Sequence, residues 1–158
     1  MVVILAGSPV AFGQQAPATG DQTRTTNLTA YAELLRSDVR AEKTAIMTEV
    51  MEFTDAQASA FWPIYREYDT EMASLGDERV ANVADYAAHF DAMTDDVADR
   101  LAGKALDLQA RRAAAQGRLY ERLKKAIGAA TALRALQVEH QLQLIIDLQI
   151  AAALPISK

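Results

Sequence analysis

The sequence predicts an all-α protein, an elongated antiparallel helical hairpin or four-helix bundle in one domain. Of its 158 residues, 51% are hydrophobic, and alanine and leucine recur throughout. Seven glycines and four prolines are few for a β protein, which needs a turn about every ten residues. From residue 28 onward, apolar residues also return at steps of three and four, the period of an amphipathic helix.

The composition also excludes several classes of function. The absence of cysteine excludes disulfides and thiol chemistry. Sixteen basic and twenty-one acidic residues give a net charge of -5, the wrong sign for a protein that binds a phosphate backbone. We therefore expect no nucleic acid partner.

The first thirteen residues are typical of the end of a secretory signal peptide. Residues 1–6 are apolar, and the small residues Ala11 and Gly13 suit cleavage after Gly13, with Ala16 or Ala18 as alternative sites. No lysine or arginine precedes Arg24, so we interpret residues 1–13 as an N-terminally truncated signal, the alternative being a disordered apolar tail.

Residues 14–27 follow as a flexible linker rich in polar residues, and residues 28–158 form a single helical domain. The apolar run is too short to cross about 30 Å of hydrocarbon as a helix. We expect a periplasmic or secreted protein with no stable membrane insertion after cleavage.

The first two helices are predicted from residue 28 to about Met51 and from Asp55 to Phe90. Asn27 caps the first, and Thr54 with Gln57 forms a capping box that starts the second. Pro63 should bend the second helix, and Gly76 leaves its continuity open. The predicted inward residues are, in the first helix, Leu28, Tyr31, Leu35, Val39, Ile46 and Val50, and, in the second, Phe61, Ile64, Tyr68, Met72, Leu75, Val80, Val83, Ala87 and Phe90.

The third helix is predicted to follow a cap at Thr94 and to stop at Gly128. The fourth helix is predicted to run from a cap at Thr131 to Leu154, where Pro155 stops it. The inward residues of the third are Val97, Leu101, Ala105, Leu108, Ala115, Leu119 and Leu123. The second half of the fourth helix is apolar nearly all round and must be covered on more than one side. A closed bundle or a second subunit could cover it, and we favour a homodimer.

The sequence does not indicate an enzyme or a cofactor. It lacks the phosphate-binding loop of nucleotide-binding proteins and the nucleophile elbow of serine hydrolases. The Glu-x-x-His pairs of di-metal helical bundles are also absent, because Tyr86 and Gln137 stand three residues before His89 and His140. These histidines are weak metal candidates, more simply explained as surface histidines. The acidic residues Asp95, Asp96 and Asp99 are explained by helix capping.

Two groups of residues could bind a client or partner protein. Trp62, Tyr65 and Arg66 could line a surface for apolar segments, the alternative being core packing. Basic residues of the third helix could gather on one face: Arg100, Arg111, Arg112, Arg118 and Arg122. Separately, Arg112, Gln137 and Glu139 could form a buried polar cluster that fixes helix register.

The segment Phe53-Thr54-Asp55-Ala56-Gln57 resembles the motif of the LTxxQ (Spy/CpxP-like) family of helical periplasmic proteins, with phenylalanine in place of leucine. A second copy of the motif would fall near Thr131 to Gln137, where the spacing differs. The resemblance implies an ATP-independent chaperone-like dimer that binds unfolded proteins on a concave surface. Chaperone members carry a basic cradle, from which this acidic chain departs.

Two alternatives to a chaperone-like function stay open. One is a metal-responsive or stress-sensor regulatory adaptor, and the other is a structural helical bundle with no client.

Overall fold

A computed structural model describes residues 39–153, which form four α-helices. These are α1 (Val39–Met51), α2 (Asp55–Ala88), α3 (Asp95–Ile127) and α4 (Ala129–Ala153), with a short 3₁₀ turn at Phe90–Ala92. No strand occurs within this range, so the predicted all-α class is confirmed. The signal peptide, the linker, the cap at Asn27, the first helix before Val39 and the stop at Pro155 lie outside the described residues.

Neighbouring helices run antiparallel. Along the α2/α3 hairpin, salt bridges join Glu67 to Arg122 and Glu71 to Arg118, so residue numbers rise on one helix as they fall on the other. The register between α1 and α4 runs the same way, because Lys43 contacts Glu139 whereas the later Val50 carbonyl accepts a hydrogen bond from Arg134. Helix α4 packs against both α3 and α1.

Two of the predicted helix starts are confirmed by their caps. The backbone N–H of Gln57 donates to Thr54 Oγ1 at 3.3 Å, and the backbone N–H of Thr54 donates to Gln57 Oε1 at 3.1 Å. Thr94 Oγ1 accepts a hydrogen bond from the Val97 N–H. Helix α2 is continuous through Gly76 and contains Pro63. The bend at Pro63 stays a prediction.

The cap predicted at Thr131 is wrong. Helix α4 begins two residues earlier, at Ala129, and the Gly128 carbonyl accepts its first backbone hydrogen bond, from Ala132, at 3.0 Å. Gly128 has φ 84°, a conformation that glycine adopts without the clash a Cβ would cause. One glycine therefore ends α3 and redirects the chain directly into α4, so no side-chain cap is needed.

The inward face predicted for α3 is confirmed at its five buried residues, Leu101, Leu108, Ala115, Leu119 and Leu123. The face predicted for the first helix is wrong where it can be seen, since Ile46 and Val50 are 37% and 40% exposed. Lys43, Met47 and Met51 point inward instead. The rotation brings Lys43 to a buried carboxylate, described below.

None of the described helices combines the length and the apolar character needed to span a bilayer.

Candidate functional site: a groove between α2 and α4

A fully buried carboxylate organises the centre of the bundle. Glu139 is 0% exposed, and Lys43 Nζ lies 2.9 Å from its Oε1. The hydroxyls of Tyr65 and Tyr68 donate hydrogen bonds to Glu139 at 2.8 and 3.1 Å. A buried charge is tolerated only when it is paired and hydrogen-bonded, and this carboxylate has partners on α1 and α2. The cluster thus ties α1, α2 and α4 together.

The surroundings of the two tyrosines keep them protonated. Burial is the largest cause that raises the pKa of Tyr65, and the adjacent negative charge of Glu139 raises it further. The pKa of Tyr68 is raised by the same two causes in the same order. Both hydroxyls therefore act as fixed hydrogen-bond donors, and neither is suited to give up a proton in catalysis.

A second polar group lies farther along α4. Arg112 forms a salt bridge with Asp147 at 3.0 Å and donates a hydrogen bond to Gln143, whose amide lies 3.4 Å from Glu139 Oε1. Arg79 on α2 also pairs with Asp147, at 2.7 Å. Partial burial acts to raise the pKa of Asp147, but the hydrogen bonds from Arg79 and Arg112 outweigh it and hold the pKa below its usual range.

A buried polar cluster is present, as predicted, but its residues are not the predicted set. Glu139 is buried as expected, but Gln137 is exposed and Arg112 reaches Glu139 only through Gln143. Gln137 fails because it lies two residues from Glu139, about 200° around a helix, and so points away from the core.

An open groove of about 760 Å³ lies beside these polar groups and is lined by residues of α2, α3 and α4, with Lys43 of α1 at one end. Its apolar lining includes Met72, Leu75, Val83, Leu108 and Ile146. The charged residues along it carry both signs: Lys43, Arg79, Arg112, Asp69, Asp77 and Asp147. Such a lining suits a segment with one apolar face and charges of both signs at its edges.

The groove lies next to the described part of α1. Helices α2 and α3 have 34 and 33 residues, but the described part of α1 has only 13. The described part of α1 contacts the bundle near Glu139, and Lys43 lines the adjacent end of the groove, whose other described lining residues belong to α2, α3 and α4. A Cβ built on Gly76, which lines the groove, would meet no atom within 4 Å.

The basic face predicted on α3 is largely paired with acidic residues of α2. Arg111 makes a bidentate salt bridge with Glu78 at 2.7 and 2.8 Å, and Arg118 lies 2.6 Å from Glu71. Arg122 pairs with Glu67, and Arg100 with Asp85. The carboxylates of α2 thus balance much of the positive charge of α3, while client binding by Arg111, Arg118 and Arg122 stays a prediction.

These ion pairs shift the pKa values of the acidic residues. Hydrogen bonds from Arg111 and Lys104 lower the pKa of Glu78 to about 2. Hydrogen bonds from Arg122 and from Arg100 lower the pKa values of Glu67 and Asp85 respectively. The row therefore stabilises the α2/α3 hairpin while its carboxylates stay ionised.

The aromatic segment of α2 is divided between the core and the surface. Tyr65 is only 3% exposed and stacks on Phe61 with ring centroids 5.1 Å apart, so including it in an exposed surface was wrong. Trp62 is half-buried against the core, and Arg66 is exposed. Client binding by Trp62 and Arg66 stays a prediction.

The two histidines are separate. His89 lies at the end of α2, 3.1 Å from Asp85, and His140 is exposed on α4. Among the residues described, no group of three or more histidine or acidic side chains is arranged to hold a metal ion.

The outer face of α4 carries apolar residues with no neighbouring helix in the described range. Leu144, Ile145 and Leu148 are 53%, 56% and 72% exposed. The expectation that this half of α4 is covered on more than one side is therefore not met by the described helices at these three residues. The homodimer that we favoured to cover this surface stays a prediction.

The sequence reasoning missed Lys43 and the groove. Lys43 stands four residues before Met47 and eight before Met51, so the helical spacing of that pair was the available signal.

Comparison of the chain with protein-family models, with curated proteins and with solved structures found no match.

Proposed function

We propose that the chain binds an apolar segment of an unfolded or partner protein in the groove between α2 and α4, without nucleotide. The observation that carries this proposal is the open groove of about 760 Å³, which is lined by both apolar and charged residues. An amphipathic helix laid into an apolar groove is a common mode of peptide recognition, and the groove has the composition this mode requires.

The charges along the groove determine what kind of segment fits. Arg79 and Arg112 share Asp147, so their positive charge is only partly neutralised, whereas Asp69 and Asp77 line the groove from α2. A segment with a row of apolar residues and flanking charges of both signs would find partners on both walls. This recognition does not depend on the basic cradle of the LTxxQ family, because the apolar contacts carry the binding.

The cellular setting belongs to the same proposal. The signal-like residues 1–13 and the LTxxQ-like segment at Phe53 to Gln57 favour an exported protein of the bacterial envelope, periplasmic or secreted, with a chaperone-like function. Among the described residues of the groove and of the buried cluster, none is a nucleophile paired with a general base, so we favour binding over catalysis.

The test is suppression of aggregation, with reduced α-lactalbumin as the client and the full chain at equimolar concentration. The Val83→Asp variant places a charge in the groove and should abolish most of the suppression. Leu106→Asp is the matched control, since Leu106 is 64% exposed and does not line the groove. The proposal fails if the unmodified chain does not suppress aggregation, or if both variants suppress it equally well.

A further inference from the structure

Six exposed residues form a continuous stripe along the outer side of α4. They extend over about four turns of the helix and lie within about 100° of its circumference. Ile146, which lines the groove, lies on the opposite side of the same helix. We call these six residues the pairing face: Leu133, Gln137, His140, Gln141, Leu144 and Leu148.

The pairing face contains no aspartate, glutamate, lysine or arginine. In this it differs from the outer sides of the other described helices, which carry exposed acidic residues such as Glu49 on α1, Glu71 on α2 and Glu121 on α3. The whole chain has a net charge of -5, so two copies repel each other unless they meet at an uncharged surface. The pairing face is such a surface.

The acidic and basic residues of α4 in the described range already have partners within the chain. Glu139 is buried against Lys43, and Asp147 pairs with Arg79 and Arg112. Arg134 donates a hydrogen bond to the carbonyl of Val50. A second copy that covers the pairing face would therefore remove no unpaired charge from water, which is the main cost of burying polar surface.

The pairing face is complementary to itself when two copies of α4 run antiparallel. If a twofold axis passes between His140 and Gln141, Leu133 of each copy faces the partner's Leu148. Leu144 then faces the partner's Gln137, and His140 faces the partner's Gln141. Every residue of the pairing face has a counterpart in this register, as a closed twofold interface requires.

The exposed area is sufficient for a weak dimer. Leu133, Leu144 and Leu148 are 49%, 53% and 72% exposed. Since a leucine in an extended chain exposes roughly 160 Å², these residues from two copies would bury roughly 570 Å². The exposed glutamine and histidine side chains raise the total to roughly 1,000 Å², the lower limit of a specific interface, where complexes are weak and reversible.

We propose that the pairing face joins two copies of this chain in an antiparallel dimer, with the twofold axis between His140 and Gln141. The groove of each copy stays open, because Ile146 and the pairing face lie on opposite sides of α4. The dimer thus carries two separate grooves, and its formation does not depend on what the grooves bind.

Sedimentation velocity of the full chain, between about 5 and about 500 µM, tests the dimer over the range of a weak interface. The mass should rise with concentration from one copy of 17.2 kDa to two. Leu144→Lys should weaken the association at least about tenfold, because it places a charge in the interface. Leu106→Lys is the matched control, since Leu106 is 64% exposed on α3, and it should associate as the unmodified chain does.

Three results overturn the dimer. The first is a single copy at every concentration, which would leave the pairing face to another part of the chain or to a different protein. The second is undiminished association of Leu144→Lys, and the third is equal weakening by Leu144→Lys and Leu106→Lys.

Two variants with opposite charges test the register. Leu133→Glu and Leu148→Lys should each associate at least about tenfold more weakly than the unmodified chain. An equal mixture of the two should associate more strongly than either alone, because position 133 of one copy faces position 148 of the other and opposite charges meet there. This recovery also shows that both variants fold.

The matched control is an equal mixture of Leu133→Glu and Leu133→Lys, since position 133 faces itself only in a parallel pair. The control mixture should show no recovery. Absence of recovery in the first mixture, or equal recovery in the control, overturns the antiparallel register.

Discussion

Replacing Glu139 by leucine should destabilise the bundle more than any change at its surface. The substitution removes the carboxylate that pairs with Lys43, itself only 5% exposed, and that accepts hydrogen bonds from the hydroxyls of Tyr65 and Tyr68. The ammonium group and the two hydroxyls would then be left in the interior without their main partner.

The magnitude follows from these losses. Removing one partner of a buried ion pair costs about 3–5 kcal/mol in the free energy of unfolding. A buried hydroxyl left without an acceptor costs a further ~1–3 kcal/mol, although contributions from neighbouring groups do not add fully. We therefore expect a loss of at least about 4 kcal/mol, a large fraction of the ~5–15 kcal/mol of a typical domain.

Urea denaturation followed by far-ultraviolet circular dichroism measures this loss. Lys43→Met combined with Glu139→Leu should recover a large part of it, because the second substitution removes the unpaired charge. Glu121→Ala is the control, since Glu121 forms only an exposed pair with Lys124 and should contribute less than about 1 kcal/mol. A loss below about 1 kcal/mol in Glu139→Leu, or no recovery in the double variant, would refute the reasoning.

Three further predictions concern glycines, acid and the arginine row. Gly76→Ala should raise the free energy of unfolding by up to about 1 kcal/mol, because alanine favours the helix interior and its Cβ meets no atom there. Gly128→Ala should lower the free energy of unfolding by about 1 kcal/mol, because Gly128 has a positive φ. Thermal melts of the two variants should therefore shift in opposite directions. Because the pKa of Glu78 is lower in the folded protein than its ordinary value of 4.5, the ionised carboxylate stabilises the fold fully above pH 4.5, and this stabilisation should be lost as the pH falls toward 2. Glu78→Gln should therefore flatten the fall in melting temperature across that pH range. An unchanged pH profile would contradict the assignment. Arg118→Ala should cost less than about 1 kcal/mol by urea denaturation, because its pair with Glu71 is exposed.

The parts of the fold that depend on local sequence could be predicted. The caps at Thr54 and Thr94 require only residues three positions apart, and both are formed. The inward face of α3 follows from a regular apolar spacing, and it is buried as expected. In each case the information lies within one or two turns of the same helix.

The candidate site could not be predicted in this way, because its parts come from distant positions. Lys43 and Glu139 are separated by 96 residues, and although Glu139 was expected to be buried, no local pattern identifies Lys43 as its partner. The pairing also rotates α1 so that Ile46 and Val50 move toward solvent. Similarly, the arginines of α3 look unpaired until α2 is placed beside them. The groove is lined by residues that are far apart in the sequence, on α1, α2, α3 and α4, and no local pattern brings them together.

The central claim, that the groove binds an apolar protein segment, is tested most directly by nuclear magnetic resonance. Backbone amide shifts of the isotope-labelled full chain would be recorded with and without unlabelled reduced α-lactalbumin. The account predicts that the largest changes follow the groove at Met72, Leu75, Val83 and Ile146. Changes confined to the outer face of α4, at Leu144 and Leu148, would contradict it.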